Sequence, residues 1–193
     1  MTHTFLTTWH VAASPEEVLT ILSDETLFPE WWPSAFIWVG RQAQGDECGK
    51  GRAADVFSRG FLPYTLRWRV SVVDILPEKD GFIVQAQGDL NGIGRWTVRA
   101  KGQGSEVSFF WSVQVGHRLL RYFELLLWPL FRANHRWCMR QGEHSMCLEV
   151  RRRRGNIRVE EPPLPLTLNV MWRRLTNAKT PRCSRTYGVT PEQ

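Results

Sequence analysis

Apolar and polar residues alternate almost from the start of the chain. In "THTFLTTWHVAA", Phe5, Thr7, Trp9 and Val11 alternate with Leu6, Thr8, His10 and Ala12, the period-two signature of a strand. "SPEEV" ends that run and starts a short helix, with Ser14 as the cap, Pro15 as the first helical residue, and Glu16 and Glu17 in the positive first turn. Val18, Leu19, Ile21 and Leu22 give it an apolar face. Pro29 and Pro33 then bracket Trp31 and Trp32, which predicts a broken or single-turn helix before a strand over 36–42. Further strands are predicted over 52–58, 65–76, 82–87, 94–100 and 106–115, each bounded by Gly, Pro, Asn or Asp. Strands so closely spaced form antiparallel hairpins.

Side-chain parity assigns the faces. Leu66, Trp68, Val70 and Val72 share one face of their strand and Arg67, Arg69 and Ser71 the other; Trp96 and Val98 oppose Arg95, Thr97 and Arg99 in the same way, and Val107, Phe109, Trp111 and Val113 repeat the pattern. One sheet face is therefore apolar and aromatic and needs a cover. The cover is a long helix through "YFELLLWPLFRANHRWC", continued to about Arg154. At 100° per residue, Leu120, Phe123, Leu127, Leu130, Phe131, Asn134, Trp137, Cys138, Gln141, Ser145 and Leu148 fall on one side, against Arg132, Arg136 and Glu143 on the other. Pro129 is expected to kink this helix or mark a junction between two. Beyond it the composition turns to Pro, polar and basic residues, so the chain reads as one domain over 1–155 and a mostly disordered tail over 156–193, with "LNVMWRRL" as a candidate docking helix.

Composition sharpens this picture in three places. Ten Trp and ten Phe in 193 residues supply large surface with few rotors. The net charge of +6 is uneven: Arg151, Arg152, Arg153 and Arg154 form one run, read as a cationic helix end that complements the helix dipole. No nucleic-acid-binding signature accompanies the run, so nucleic acid is not an expected partner. Cys48, Cys138, Cys147 and Cys183 show neither metal spacing nor a small disulfide framework, which predicts reduced thiols in a cytoplasmic protein. No secretory signal and no window of ~20 apolar residues is visible.

The order strand, short helices, antiparallel run and long C-terminal helix is that of the α+β helix-grip fold, with about seven strands. The residues also resemble a family. "WHVAASPEEV" at Trp9 to Val18, "FPEWWP" at Phe28 to Pro33, "GKGR" at Gly49 to Arg52, "GDLNGIGRW" at Gly88 to Trp96 and "NHRWCMRQGE" at Asn134 to Glu143 are similar to the START-like superfamily that includes birch-pollen-allergen-like proteins, and within it to the polyketide cyclase/dehydrase and lipid-transport group. The resemblance implies a curved sheet gripping the long helix, with an elongated cavity for an apolar ligand between them. It supplies no universal catalytic motif, since its members include carriers, aromatase/cyclases and pure binding modules.

Candidate site residues follow from both readings. Trp31 and Trp32 serve either as a cavity wall or gate, or as plain core. Phe57, Trp68, Trp96, Trp111, Phe123, Leu127, Phe131 and Cys138 are expected on the cavity wall. Asn134 and Gln141 interrupt the apolar side of the helix, and a buried amide needs a partner in the sheet, in water or in a ligand carbonyl. His135 and Asp55 are the weak candidates for acid or base work; Asp55 shares parity with Phe57, so the two together require a bulge, an edge position or a polar cavity. "GDLNGIGRW" lacks the strand and helix of a dinucleotide site, and no Walker, zinc-ligand or nucleophile-elbow pattern appears, so neither cofactor nor metal is expected. Leu125, Trp128 and Met139, placed on the outer side of a straight helix near Arg121 and Arg132, suit peripheral membrane contact, or equally the tail or a second subunit.

Three functions fit, in descending order: binding or transport of a small hydrophobic or aromatic molecule, a lipid among them; an aromatase/cyclase or dehydratase acting on a polyketide-like substrate; and a ligand-free interaction or stress module. The last requires a cavity too small for anything beyond water.

Overall fold

Hairpin after hairpin, the strands lay down a single seven-stranded antiparallel sheet in the order β1-β7-β6-β5-β4-β3-β2. The strands are β1 His3–Val11, β2 Phe36–Ala43, β3 Ala53–Arg59, β4 Thr65–Ile75, β5 Gly81–Gly88, β6 Leu90–Lys101 and β7 Gly104–Val115. Between β1 and β2 lie α1 (Pro15–Ser23), a 3-10 turn (Glu25–Leu27) and α2 (Phe28–Trp31); α3 (Glu124–Arg153) follows β7. The computed structural model describes residues 2–78, 80–115, 124–155 and 160–163. The curved sheet and its long closing helix make the helix-grip arrangement that the alternation predicts.

Local chemistry sets the ends of α1. Ser14 Oγ accepts the Glu17 N–H at 3.3 Å and Glu17 Oε2 accepts the Ser14 N–H at 2.9 Å, a reciprocal capping box that satisfies two orphan donors. Glu17 also receives Arg154, the residue after α3, at 2.7 and 2.8 Å, which ties α1 to the end of α3. Arg152 and Arg153 both pair with Glu149. Three of the four arginines in the cationic run therefore spend their charge within the domain. The single helix α3 runs through Pro129 without a junction.

The parity reading holds along β6 and β7 and for the arginines of β4. Trp9, Trp96, Val98, Val107, Trp111 and Val113 are buried on the concave face, while Arg67, Arg69, Arg95 and Arg99 are exposed. Rings link neighbouring strands on that face: Trp96 stacks on Phe109 at 4.1 Å between centroids, Phe109 on Trp111 at 5.5 Å, and Trp9 meets Trp96 at 5.3 Å. Edge strand β1 is tied down where the His10 N–H donates to Glu143 Oε1 of α3 at 2.9 Å.

The azimuth of α3 differs from the projection. Met139, Gly142, Ser145, Met146, Leu148, Glu149 and Val150 are buried, whereas Leu130 is 41% exposed. Met139 and Trp128 turn toward the sheet, which corrects the outer membrane-facing placement: Trp128 stacks on His3 at 3.7 Å, and Phe5 stacks on His135 at 4.1 Å. Close approach decides the rotation. A Cβ at Gly142 would stand 2.4 to 2.8 Å from three ring atoms of Trp32, so only glycine lets the helix seat on that buried indole. Phe123, the side chains of Leu125 and Leu127, and the tail segment "LNVMWRRL" lie outside the described residues.

Candidate functional site

The middle of the sheet is made of small side chains. Ala54, Val70 and Ala86 face one another across β3, β4 and β5, and Val72 pairs with Val84 in the adjoining row. Larger rings stand around this low floor: Phe28, Phe36, Trp68, Trp96, Phe109 and Trp111. A straight helix cannot follow such a depression. Under α3 there remains a cavity of about 250 Å³, against the roughly 10–15 Å³ that one water requires. A purely filled interior is excluded by that volume.

From above, Trp128, Phe131, Asn134, His135, Cys138 and Met139 of α3 close the cavity, and Trp32 reaches it from the short-helix side. Trp32 is only 3% exposed and packs at 5.5 Å from Trp9, 5.4 Å from Trp31 and 5.2 Å from Phe36. Tyr64, entering from the loop between β3 and β4, meets Phe131 edge-on at 6.2 Å.

Polar groups gather at two ends. At the start of β3, Glu25 Oε1 accepts Arg41 Nε at 2.9 Å while Oε2 lies 2.9 Å from Arg52 Nε in an ion pair too bent for a hydrogen bond; Arg41 also reaches Asp24 at 2.8 Å. Glu25 is thus neutralised twice over, as a buried carboxylate must be. At the other end of β3 lie Arg59, Tyr64, Asn134 and Cys138, while His135 stacks on Phe5 of β1. Burial pushes the Tyr64 hydroxyl up to about 12, with a further push from Cys138 beside it, and pushes the Cys138 thiol up to about 12. Both stay protonated at neutral pH. Burial pushes His135 down to about 4, so its imidazole is neutral, and Nε2 is buried with no hydrogen-bond partner among the described residues.

Asn134 works as a latch. Its Oδ1 accepts the Phe61 N–H at 2.9 Å and the Leu62 N–H at 3.3 Å, which pins the β3–β4 loop to α3. Gly60 makes room for it, since a Cβ there would lie 2.1 Å from that same oxygen. Replacing Asn134 by leucine leaves two loop N–H groups unpaired, at about 1–3 kcal/mol for each that stays buried. Thermal unfolding of Asn134→Leu is expected to show a loss of about 2 kcal/mol with faster proteolysis at 60–64, and Asn134→Asp, which retains an acceptor, to recover most of it.

The wall includes Trp32, Trp68, Trp96, Trp111, Phe131, Asn134 and Cys138 from the sequence candidates. Trp31 is buried core at 1% exposure and lies off the wall. Gln141 is half-buried on α3, also away from it, because the helix is turned toward Met139 and Gly142. Phe57 and Asp55 require correction: both point to the convex side, where Arg67 sits 5.2 Å over the Phe57 ring and Arg69 binds Asp55 in a fork at 2.7 and 3.1 Å. That arginine holds the Asp55 carboxyl below its ordinary range. Asp55 and His135 lie on opposite faces of the sheet and form no acid/base pair.

Sequence reading missed Arg59, Tyr64, Gly60 and Gly142. Tyr64 and Gly60 sit in a loop, where periodicity is silent. The alanines at inward parity in β3 and β5 were the available signal for a low floor. Among the described residues, no cluster of His, Cys, Asp and Glu is suited to a metal ion, and no helix is long and apolar enough to cross a membrane.

Comparison with known proteins agrees with this fold. A family model described as polyketide cyclase / dehydrase and lipid transport matches residues 2–141. The fold is similar to the Zhui aromatase/cyclase from Streptomyces sp. R1128, with a TM-score of 0.65 at 12% identity over 79% of this chain and 96% of that one. It is also similar to norcoclaurine synthase from Thalictrum flavum in complex with dopamine and hydroxybenzaldehyde (TM-score 0.52, 19% identity, 77% of this chain and 88% of that one). A START superfamily protein from Mycobacterium smegmatis has the same TM-score of 0.52, at 19% identity over 70% of this chain and 97% of that one. At such identities the likeness is one of fold. No curated protein matches the chain.

Proposed function

Because the chain belongs to the polyketide cyclase/dehydrase and lipid-transport family, we propose that it binds a small hydrophobic, aromatic molecule in the cavity between sheet and α3. The observation that carries this reading is the 250 Å³ ring-lined space over the floor of Ala54, Val70, Val72 and Val84. That volume lies just below the range of ordinary small-molecule pockets, so a bicyclic or tricyclic ring system suits it better than a two-chain lipid. Carriage of such a molecule follows if it is released unchanged. Free thiols at Cys48, Cys138 and Cys147 support a reducing compartment such as the cytoplasm.

The driving force is burial of ring surface. Removing roughly 250 Å² of aromatic surface from water at about 25 cal/mol per Å² gives about 6 kcal/mol of gross driving force, from which the ligand's lost freedom of motion subtracts, so a Kd from tens of micromolar to about a millimolar is expected. Calorimetric titration with 2-naphthalenemethanol, a neutral bicyclic probe, tests the proposal, together with native mass spectrometry of gently purified protein. Saturable binding of one molecule per chain in that range supports the reading; absence of binding to correctly folded protein overturns it.

A cyclase reading is favoured by one observation, the unpaired His135 Nε2 in the cavity wall. With a pKa near 4 that imidazole is a weak base, well below the value near operating pH that general-base catalysis favours. Binding without turnover is therefore the stronger reading.

A further inference from the structure

Arg59 is the unusual group in this cavity. It ends β3, where strand parity would send its side chain outward with Asp55 and Phe57, yet it lines the cavity and is half-buried. Its backbone is held on both sides: the Arg59 N–H donates to the Ala35 carbonyl at 2.9 Å, and its own carbonyl accepts from Cys138 Sγ at 3.8 Å. Its Nε is buried and has no hydrogen-bond partner among the described residues, nor does any described carboxylate lie within ion-pairing distance of the guanidinium. Arg52, the residue before the opposite end of β3, has Glu25. The Arg59 Nε is shut off from water with no counter-charge beside it, which is costly, and burial accordingly lowers the Arg59 pKa.

The groups around Arg59 offer hydrogens rather than negative charge. Tyr64 keeps its hydroxyl proton. Asn134 has committed Oδ1 to the loop, which leaves its amide N–H groups without a partner among the described residues. The carboxylate of the described cavity wall, Glu25, lies across the cavity; at about 3.3 Å per residue, the Arg52 and Arg59 backbones are about 23 Å apart along the strand. Two guanidiniums thus face one carboxylate, leaving one positive charge over, at the loop end.

We propose that the ligand is an aromatic carboxylic acid whose rings lie between Trp68 and Phe131 and whose carboxylate is received by Arg59, with Tyr64 and Asn134 as the neighbouring donors. This rests on the apolar-ligand reading above and adds a polarity to it. Arginine can take a carboxylate side-on through Nε and one terminal nitrogen, two parallel charge-assisted hydrogen bonds, and such a contact repays the desolvation of the guanidinium. A cationic ligand of the same shape meets the surplus positive charge instead and is rejected.

Three near-isosteric probes test it by calorimetry: 2-naphthoate, 2-naphthalenemethanol and 2-naphthylmethylammonium. The expected order is anion, then alcohol, then cation, with the anion at least tenfold tighter than the alcohol. Arg59→Met, which keeps the apolar stem, should weaken 2-naphthoate tenfold or more while changing the alcohol less than twofold. Arg59→Lys should retain part of the preference. If the alcohol binds and the acid binds no tighter, the carboxylate assignment is overturned and the apolar-ligand reading stands. If acid binding is unchanged in a folded Arg59→Met protein, the role of Arg59 is overturned. If no probe binds, both readings fall together. The ranking in the unaltered protein needs no variant, so a poorly folding Arg59→Met leaves the charge test intact.

Discussion

Truncating Trp32 to alanine is expected to remove about 3–5 kcal/mol of folding stability, a large share of the roughly 5–15 kcal/mol that holds a domain together. The indole is 3% exposed and wedged among Trp9, Trp31 and Phe36, with Gly142 of α3 pressed against its edge. None of these neighbours collapses easily into the space, because each ring already leans on another. The void also opens into the cavity that Trp32 lines, so truncation costs stability and reshapes the site together. Thermal unfolding should show a midpoint about 6–20 °C lower, at about 2–4 °C per kcal/mol for a chain of this length. Trp38→Ala supplies the control: that ring is 53% exposed on the convex side, and its loss should change stability by about 0.5 kcal/mol or less. Equal effects from the two substitutions would refute the packing argument.

Filling the cavity should have the opposite thermodynamic signature. Val70 is the half-buried centre of the small-residue row, between Ala54 and Ala86, and its side chain faces the empty volume. Val70→Trp is expected to weaken 2-naphthalenemethanol binding about 100-fold, equivalent to about 2.8 kcal/mol, because the new ring occupies the place of the guest. Over the same substitution, folding stability should be unchanged or rise by about 0.5–2 kcal/mol, as in other cavity-filling changes. Overpacking of a full core would instead cost about 1–3 kcal/mol. A large loss of stability would therefore mean that the space over Val70 is not available, and retained binding would place the ligand elsewhere.

Sequence and structure agree where the signal is local. The Ser14 cap, the strand alternation through Trp68, Trp96 and Trp111, and the inward aromatic face all depend on neighbours within a few residues. They disagree where orientation is relational. A 100° projection groups residues on one side of α3 but does not say which azimuth meets the sheet, and so Gln141 and Leu130 were turned inward and Met139 and Trp128 outward. Phe57 was misplaced for a related reason: its parity with Asp55 was legible, yet an aromatic residue invited an inward reading that the Asp55–Arg69 pair overrides.

Hydrophobic period and capping chemistry act through adjacent residues, so the order of residues was enough to require an antiparallel sheet with one aromatic face and a long covering helix. Tertiary structure alone decided three things. Cross-strand register set Ala54 beside Val70 and Val72 beside Val84 and so hollowed the interior; the missing side chain at Gly142 set the rotation of α3 against Trp32; and the end of β3 brought Arg59 into the cavity wall against its parity. Each joins residues distant in sequence or breaks a local pattern, which no window along the chain contains.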